Sequence, residues 1–365
     1  MEEMEMTLFQ GCFQGRRVLV TGHTGFKGSW LSLWLQDLGA KVSGVALPPE
    51  TSPNHWDLLK LDMPSHLVDI RDGEALKRVV AEERPEIIFH LAAQPLVRRS
   101  YGDPLTTWST NVMGTANLLD ACRGAEDLRA VIVVTTDKCY RNQEWHWGYR
   151  ESDPLGGHDP YSASKAASEL VVASYRDSFF QAPGAPLLAT ARAGNVIGGG
   201  DWSEDRLIPD LVRAQARHAP LEIRSPRATR PWQHVLESLS GYLLLGQRLV
   251  EKAPGFAESW NFGPEPEGNR TVEEVLTRLR KHWPDLVWQP ATQEQPHEAN
   301  LLYLDSAKAR QKLGWQSVWQ LEGTLAATAD WYRQFYAQGQ IASRTQLTGY
   351  IAAARGAGLS WAAGS

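Results

Sequence analysis

Two short stretches of this sequence combine residue types that can move protons. Asp159-Pro160-Tyr161-Ser162-Ala163-Ser164-Lys165 has the form of a helix start, with Asp159 as N-cap and Pro160 at the first helical position. Tyr161 and Lys165 then stand four residues apart on one helix face. A phenol with a pKa of ~10 is a poor base at neutral pH, and a neighbouring ammonium lowers that pKa by favouring the phenolate. Such a base can take a hydroxyl proton while hydride leaves the same carbon. The second stretch is Thr135-Thr136-Asp137-Lys138, where a hydroxyl, a carboxylate and an ammonium follow a wholly apolar run. Placed at a strand end, that trio can exchange protons with a bound substrate. Neither stretch is decisive alone: a four-residue Tyr/Lys spacing is common in helices, and a strand end can carry a solvated salt bridge.

A third stretch supplies the context. Gly22-His23-Thr24-Gly25-Phe26-Lys27-Gly28 sets three glycines at GxxGxxG spacing between an apolar run and a helical pattern. The first glycine permits the tight turn. The second lets the backbone approach a pyrophosphate, and the third lets the helix pack close to the sheet. This predicts dinucleotide binding. A carboxylate that would select NAD often ends the second strand of such folds. Here that strand ends Val45-Ala46-Leu47-Pro48-Pro49-Glu50, with neither a carboxylate nor an arginine for a 2′-phosphate. NADP is therefore not excluded by the residues. Asp69 and Ile70 stand where an adenine edge would be contacted, with a surface turn as the alternative.

These groups need a frame. Residues 17–21 read as a strand, 25–38 as a helix and 41–47 as the next strand. Residues 68–70 are a short extended piece before a helix near 73–83. Strands at 87–91, 130–135 and 187–192 alternate with helices at about 104–122 and 160–180. Strands that are apolar throughout, separated by helices, predict a parallel sheet covered on both faces, with right-handed crossovers. The fold class is therefore α/β, a Rossmann-type doubly wound sheet. After Gly194 the regularity fades into Gly-, Pro-, Trp- and Arg-rich segments at 198–233 and 259–300. Helices near 208–217, 235–250, 271–282 and 321–336 suggest a smaller α+β lobe over the strand ends.

The division expected is a loose leader at 1–15 and a cofactor domain at 16–195 plus about 233–253. A substrate-binding lobe follows at 196–232 and 254–338, with a weakly ordered tail at 339–365. The length of 365 residues allows about two domains, and 42% apolar content is enough for a sizeable core. The net charge of −5 lacks the basic footprint of a nucleic-acid binder. Three scattered cysteines argue against a disulfide framework or a zinc knuckle, so no metal is expected. No run approaches the ~20 apolar residues of a membrane span, and an acidic N-terminus is unlike a signal peptide. A cytoplasmic protein is expected. Tryptophan is anomalous at 15 residues against 9 phenylalanines, and serves equally well in cores and in polar-ligand pockets.

Taken together, TGHTGFKG, HLAAQ (His90 to Gln94), Asn111 and YSASK resemble the extended short-chain dehydrogenase/reductase superfamily, from about Arg16 to Tyr336. Within it, HLAAQPLVRRSY, TTDKCY, RAGNVIGGGDW with DRLIPD, and RPWQHVLE are similar to the CDP-glucose 4,6-dehydratases. Asp137-Lys138 is the most discriminating element, because dTDP-glucose dehydratases typically carry Asp-Glu there. The resemblance implies NAD as cofactor, bordered by Gly22, Thr24, Gly25, Phe26, Gly28, Asp69, Ile70, Leu91, Ala92 and Ala93, with Tyr161 and Lys165. It implies CDP-glucose as substrate, held by Gln94, Asn195, Arg206, Arg230 and His234. Tyr161 and Thr136 would serve the 4-hydroxyl, Lys165 the phenolate and ribose, and Asp137 with Lys138 the loss of water across C5 and C6. Which of that pair is acid and which base stays open. Trp202 and Trp232 could line the pocket or the core, and Arg98 or Arg99 could face the site. The resemblance further implies a homodimer joined through a four-helix bundle built on 104–122 and 160–180. A 4-epimerase or dTDP-glucose dehydratase on the same scaffold, or a non-catalytic dinucleotide sensor, remain the alternatives.

Overall fold

The computed structural model describes residues 7–291 and 301–363. Among the described residues the strands are β1 (Arg17–Thr21), β2 (Lys41–Ala46), β3 (Ser65–Leu67), β4 (Ile87–His90), β5 (Ala130–Val134), β6 (Leu187–Ala193), β7 (Asn195–Ile197), β8 (Leu221–Ile223), β9 (Thr229–His234), β10 (Ser259–Phe262), β11 (Asn269–Thr271) and β12 (Trp288–Pro290). Seven form one parallel sheet in the order β10-β6-β5-β4-β1-β2-β3. The chain order turns back between β1 and β4. Open α/β sheets bind ligands beyond the carboxyl ends of their strands at such a switch point. The register brings those ends level, with Thr21 beside His90, His90 beside Val133, and Val134 beside Ala191.

Alternate residues of β5 feed two cores. Ala130, Ile132 and Val134 join a cluster that includes the helices Phe26–Asp37 and Val235–Val250. Val131 and Val133 face the opposite way, toward Leu118, Leu119, Cys122 and Val172. Burial on both faces is why these strands lack polar alternation. Truncating a buried Leu or Ile in such a core costs ~2–5 kcal/mol. The doubly wound sheet expected from the sequence is present. Beyond it lie a three-stranded sheet (β11-β9-β7) and a two-stranded one (β12-β8).

The structure corrects several expectations. Residues 7–15 are no loose leader: Phe9 and Phe13 are buried, and Phe9 stacks on Trp361 with centroids 5.0 Å apart. Nor is 339–363 a weak tail, because Ser343–Gly356 is a helix that buries Leu347, Tyr350 and Ala354. Its Tyr350 hydroxyl donates to the buried Glu237 at 2.9 Å. Residues 1–6, 364 and 365 of those two expected segments, and 292–300 of the lobe, lie outside the described residues. The helix expected at 104–122 is interrupted by a π-turn, Ser109–Met113. Asn111 within that turn donates to Gln94 O at 3.1 Å and Ser164 Oγ at 2.9 Å, and accepts from Gln94 N at 2.8 Å. The seventh sheet strand, β10, falls in a segment expected to be irregular and pairs with β6. Trp30, Trp34, Trp260, Trp315, Trp331 and Trp361 are fully buried, so much of the tryptophan excess is core.

Candidate active site

A cavity of about 880 Å³ opens at the carboxyl ends of the central strands, lined on one side by the glycine turn and on the other by the smaller lobe. At its cofactor end β1 runs straight into Gly22. That glycine holds φ +78°, and a Cβ there would fall 2.7 Å from Ala92 N. A Cβ on Gly28 would lie 2.0 Å from Gly22 O, so the turn tolerates no side chain at either position. Gly25 is the N-cap of the helix Phe26–Asp37, and no side chain caps that helix start. Uncapped N–H groups at a helix N-terminus suit a pyrophosphate. Thr24, Phe26, Asp69, Ile70, Leu91, Ala92 and Ala93 line the same cavity. The residues present therefore fit a dinucleotide. Asp69 is held by Arg71, whose charge and hydrogen bonds keep its carboxyl below the ordinary range.

Tyr161 follows its cap as the sequence suggested, with Asp159 Oδ1 accepting from Ser162 N at 2.9 Å. Burial pushes the Tyr161 phenol up to about 12, while hydrogen bonding with Thr136 and the charge of Arg206 pull the other way. Lys165 is buried and donates to Val134 O at 3.2 Å. Burial pulls its ammonium down to about 8, against the charge of Glu169. Asp137 is 1% exposed, with Oδ1 3.8 Å from Lys138 Nζ and Oδ2 lacking any hydrogen-bond partner. A Cβ on Gly194 would fall 2.9 Å from that oxygen. A buried, unpartnered carboxylate oxygen is costly unless a substrate completes it.

Gln94, Asn195, Arg206 and Arg230 line the cavity, and Arg206 pairs with the buried Asp201 at 3.2 Å. His234 does not join them. It is fully buried, its ring packed edge-on to Trp30 and Trp319, and it caps the helix Val235–Val250 by accepting from Leu236 N. Its side chain points into the core and not into the cavity, unlike the substrate-binding residue expected from the sequence. Trp202 and Trp232 border the cavity and are also core: Trp202 packs on Trp331, Tyr332 and Phe335, and Trp232 donates to Arg270 O. Arg98 and Arg99 both reach the rim, in ion pairs with Asp205 at 3.2 Å and Glu50 at 2.8 Å.

Lys27, within the glycine turn and not among the expected site residues, also lines the cavity and donates to the Tyr242 hydroxyl at 3.2 Å. Burial, with Arg206 and Lys165, pulls its ammonium down to about 7. A cation inside a phosphate-binding turn was the signal available. Among the described residues no group of three or more His, Cys, Asp or Glu side chains is arranged to hold a metal ion. No helix among them is long and apolar enough to cross a membrane.

The glycine turn, Tyr161 with Lys165, and Asp137 with Lys138 all open onto this one cavity. A family model described as GDP-mannose 4,6 dehydratase matches residues 19–328, and the chain belongs to that family. It is 48% identical over 351 residues to the CDP-glucose 4,6-dehydratase of Salmonella typhimurium, covering 93% of this chain and 98% of the relative. The dTDP-glucose 4,6-dehydratase of Xanthomonas campestris pv. campestris is 27% identical, over 88% of this chain and 95% of its own. Among solved structures, DesIV, a dTDP-glucose 4,6-dehydratase from Streptomyces venezuelae with NAD and TYD bound, superposes with a TM-score of 0.74 at 26% identity. That match covers 88% of this chain and 98% of the other.

Proposed function

We propose that the protein is an NAD-dependent CDP-glucose 4,6-dehydratase, a hydro-lyase that forms CDP-4-dehydro-6-deoxy-D-glucose and water in deoxysugar (surface polysaccharide) biosynthesis. The observation that carries this reading is the buried Asp137 beside Lys138, opening onto the cavity that Tyr161 lines. The glycine turn with Asp69, Ile70 and the 91–93 segment would hold the cofactor. When bound, NAD supplies a reversible hydride acceptor at sugar C4 and a donor at C6, so redox cancels and the net change is loss of water. Tyr161, assisted by Thr136, removes the 4-hydroxyl proton as the 4-ketone forms. Burial pushes its phenol up, so this needs a positive charge close by to favour the phenolate. The ketone acidifies C5–H. Asp137 and Lys138 divide between them removal of the C5 proton and protonation of the departing C6 hydroxyl. Arg206, Arg230, Asn195 and Gln94 bind the sugar nucleotide, the two guanidiniums on its pyrophosphate.

A 4-epimerase on this scaffold does not need the Asp137-Lys138 pair, which weighs against that reading. The test is incubation with CDP-, dTDP- and UDP-glucose in deuterated water, followed by mass spectrometry. Loss of one water from the CDP sugar with deuterium at C5 is expected, and an unchanged mass with all three refutes the assignment. A homodimer is part of the proposal. Leu105 (81% exposed), Trp108 and Met113 on the 104–122 segment, with Leu170 and Phe179 on Pro160–Phe179, leave the two helices apolar outward. Multi-angle light scattering at micromolar concentration should give twice the chain mass, and a monomer peak would refute it. The cytoplasm is the proposed compartment.

A further inference from the structure

One helical turn beyond Lys165 lies a carboxylate that the reaction does not itself use. The Glu169 side chain is 1% exposed, where three strands meet. Its Oε1 accepts from Thr135 Oγ1 at 2.5 Å. Its Oε2 accepts from Thr190 Oγ1 and Arg192 Nη2, each at 2.7 Å, and from Ser259 Oγ at 3.1 Å. Arg192 is buried too, and donates to the Tyr140 hydroxyl at 2.7 Å. Tyr140 reaches the cavity just past Asp137-Lys138. Burial alone would raise the Glu169 carboxyl, but Arg192 and the donated hydrogen bonds hold it below the ordinary range. It is therefore a standing negative charge.

Lys165 needs one. Burial disfavours its ammonium, and Glu169 is the strongest influence in the other direction. The other titratable neighbours are Tyr161 one turn earlier on the same helix face, Lys27 of the glycine turn, His90 of β4 and Cys139 beyond β5, with Arg176 and Arg192 around Glu169. Burial pulls His90 down to about 3 and raises the Cys139 thiol, so both are neutral at working pH. Lys27 adds only positive charge.

We propose that Glu169 is a positioning residue for the reaction. The hydrogen bond it accepts from Thr135 ties the strand end that leads into Thr136 and Asp137 to Thr190 and Arg192 of β6 and Ser259 of β10, and its charge keeps Lys165 in the ammonium form. Arg192 makes this durable, because without it the buried carboxylate would take up a proton and Lys165 would lose its counter-charge. The assignment rests on the reading of the protein as an NAD-dependent dehydratase.

The test compares wild type with Glu169→Gln and Glu169→Asp, from about pH 6 to pH 9, a range that spans the Lys165 transition. NADH affinity is read by fluorescence titration, and kcat and KM with CDP-glucose in parallel. In Glu169→Gln the alkaline weakening of NADH binding and the alkaline limb of kcat should both move about one pH unit lower, with values at the acid end within about threefold of wild type. Glu169→Asp should lie between. Profiles that run parallel to wild type, however large the uniform loss, overturn the proposal. Should Glu169→Gln fail to fold, the Asp variant decides: a limb displaced to lower pH supports the role, and an undisplaced one overturns it. Absence of CDP-glucose turnover by wild type would count against the assigned reaction, while the NADH titration still decides on Glu169.

Discussion

Replacing Glu237 by glutamine should change how the stability of the protein depends on pH. Glu237 is fully buried and accepts from Val318 N at 2.9 Å, Trp319 N at 2.7 Å and Tyr350 OH at 2.9 Å. Burial nonetheless raises its carboxyl from 4.5 to about 7. The folded protein thus holds this proton more tightly than the unfolded chain does. Its contribution is fully present below the unfolded pKa and drains away as pH rises through about 7. At about 1.4 kcal/mol per pH unit, the span corresponds to ~3 kcal/mol between acid and alkaline conditions. Glutamine cannot ionise, but its amide leaves one of the two backbone N–H groups without an acceptor, at a cost of ~1–3 kcal/mol. The variant should therefore be less stable than wild type at pH ~5, and the gap should narrow or reverse by pH ~8. The buried imidazoles of His23, His55, His90 and His234 are all pulled down by burial, and act in the opposite direction on both proteins. The difference between the two urea-denaturation series therefore isolates Glu237. A gap that stays constant across the pH range refutes the reasoning.

Gly28→Ala places a methyl group 2.0 Å from Gly22 O, forcing the turn open, and should weaken NADH binding at least tenfold by fluorescence titration. Asp137→Asn should lower dehydration by ~10²-fold or more, read as solvent deuterium incorporated at C5, while NADH affinity stays within about threefold. His234→Ala should cost a few kcal/mol in urea denaturation yet leave the KM for CDP-glucose within about twofold, because the ring lies in the core rather than the cavity.

What the sequence revealed and what it hid divide along chain distance. The turn at Gly22–Gly28 and the start at Asp159-Pro160-Tyr161 were legible because strand, turn, cap and helix follow within a few residues, each with its own local preference. Four residues of β10, Ser-Trp-Asn-Phe, form a strand only because β6 offers an edge some seventy positions upstream. The helix Ser343–Gly356 looked weak from its Ala and Gly. It is held by Tyr350 on Glu237 and by Trp361 on Phe9, partners that no local pattern announces. The π-turn at Asn111 arises from hydrogen bonds to Gln94 and Ser164 across the fold. His234 departs from expectation for the same reason, because side-chain direction depends on which neighbours close over it.

The concentration of buried indoles has an optical consequence. Trp30 belongs to the helix that begins at the glycine turn, and Trp202 and Trp232 border the cavity. Indoles held in a dry interior emit toward the blue, where reduced nicotinamide absorbs. Occupancy of the cofactor site should therefore be visible as quenched tryptophan emission together with sensitised nicotinamide emission. The protein carries its own label, and the hydride's passage on and off the cofactor during a turnover could be followed in stopped flow without any added dye.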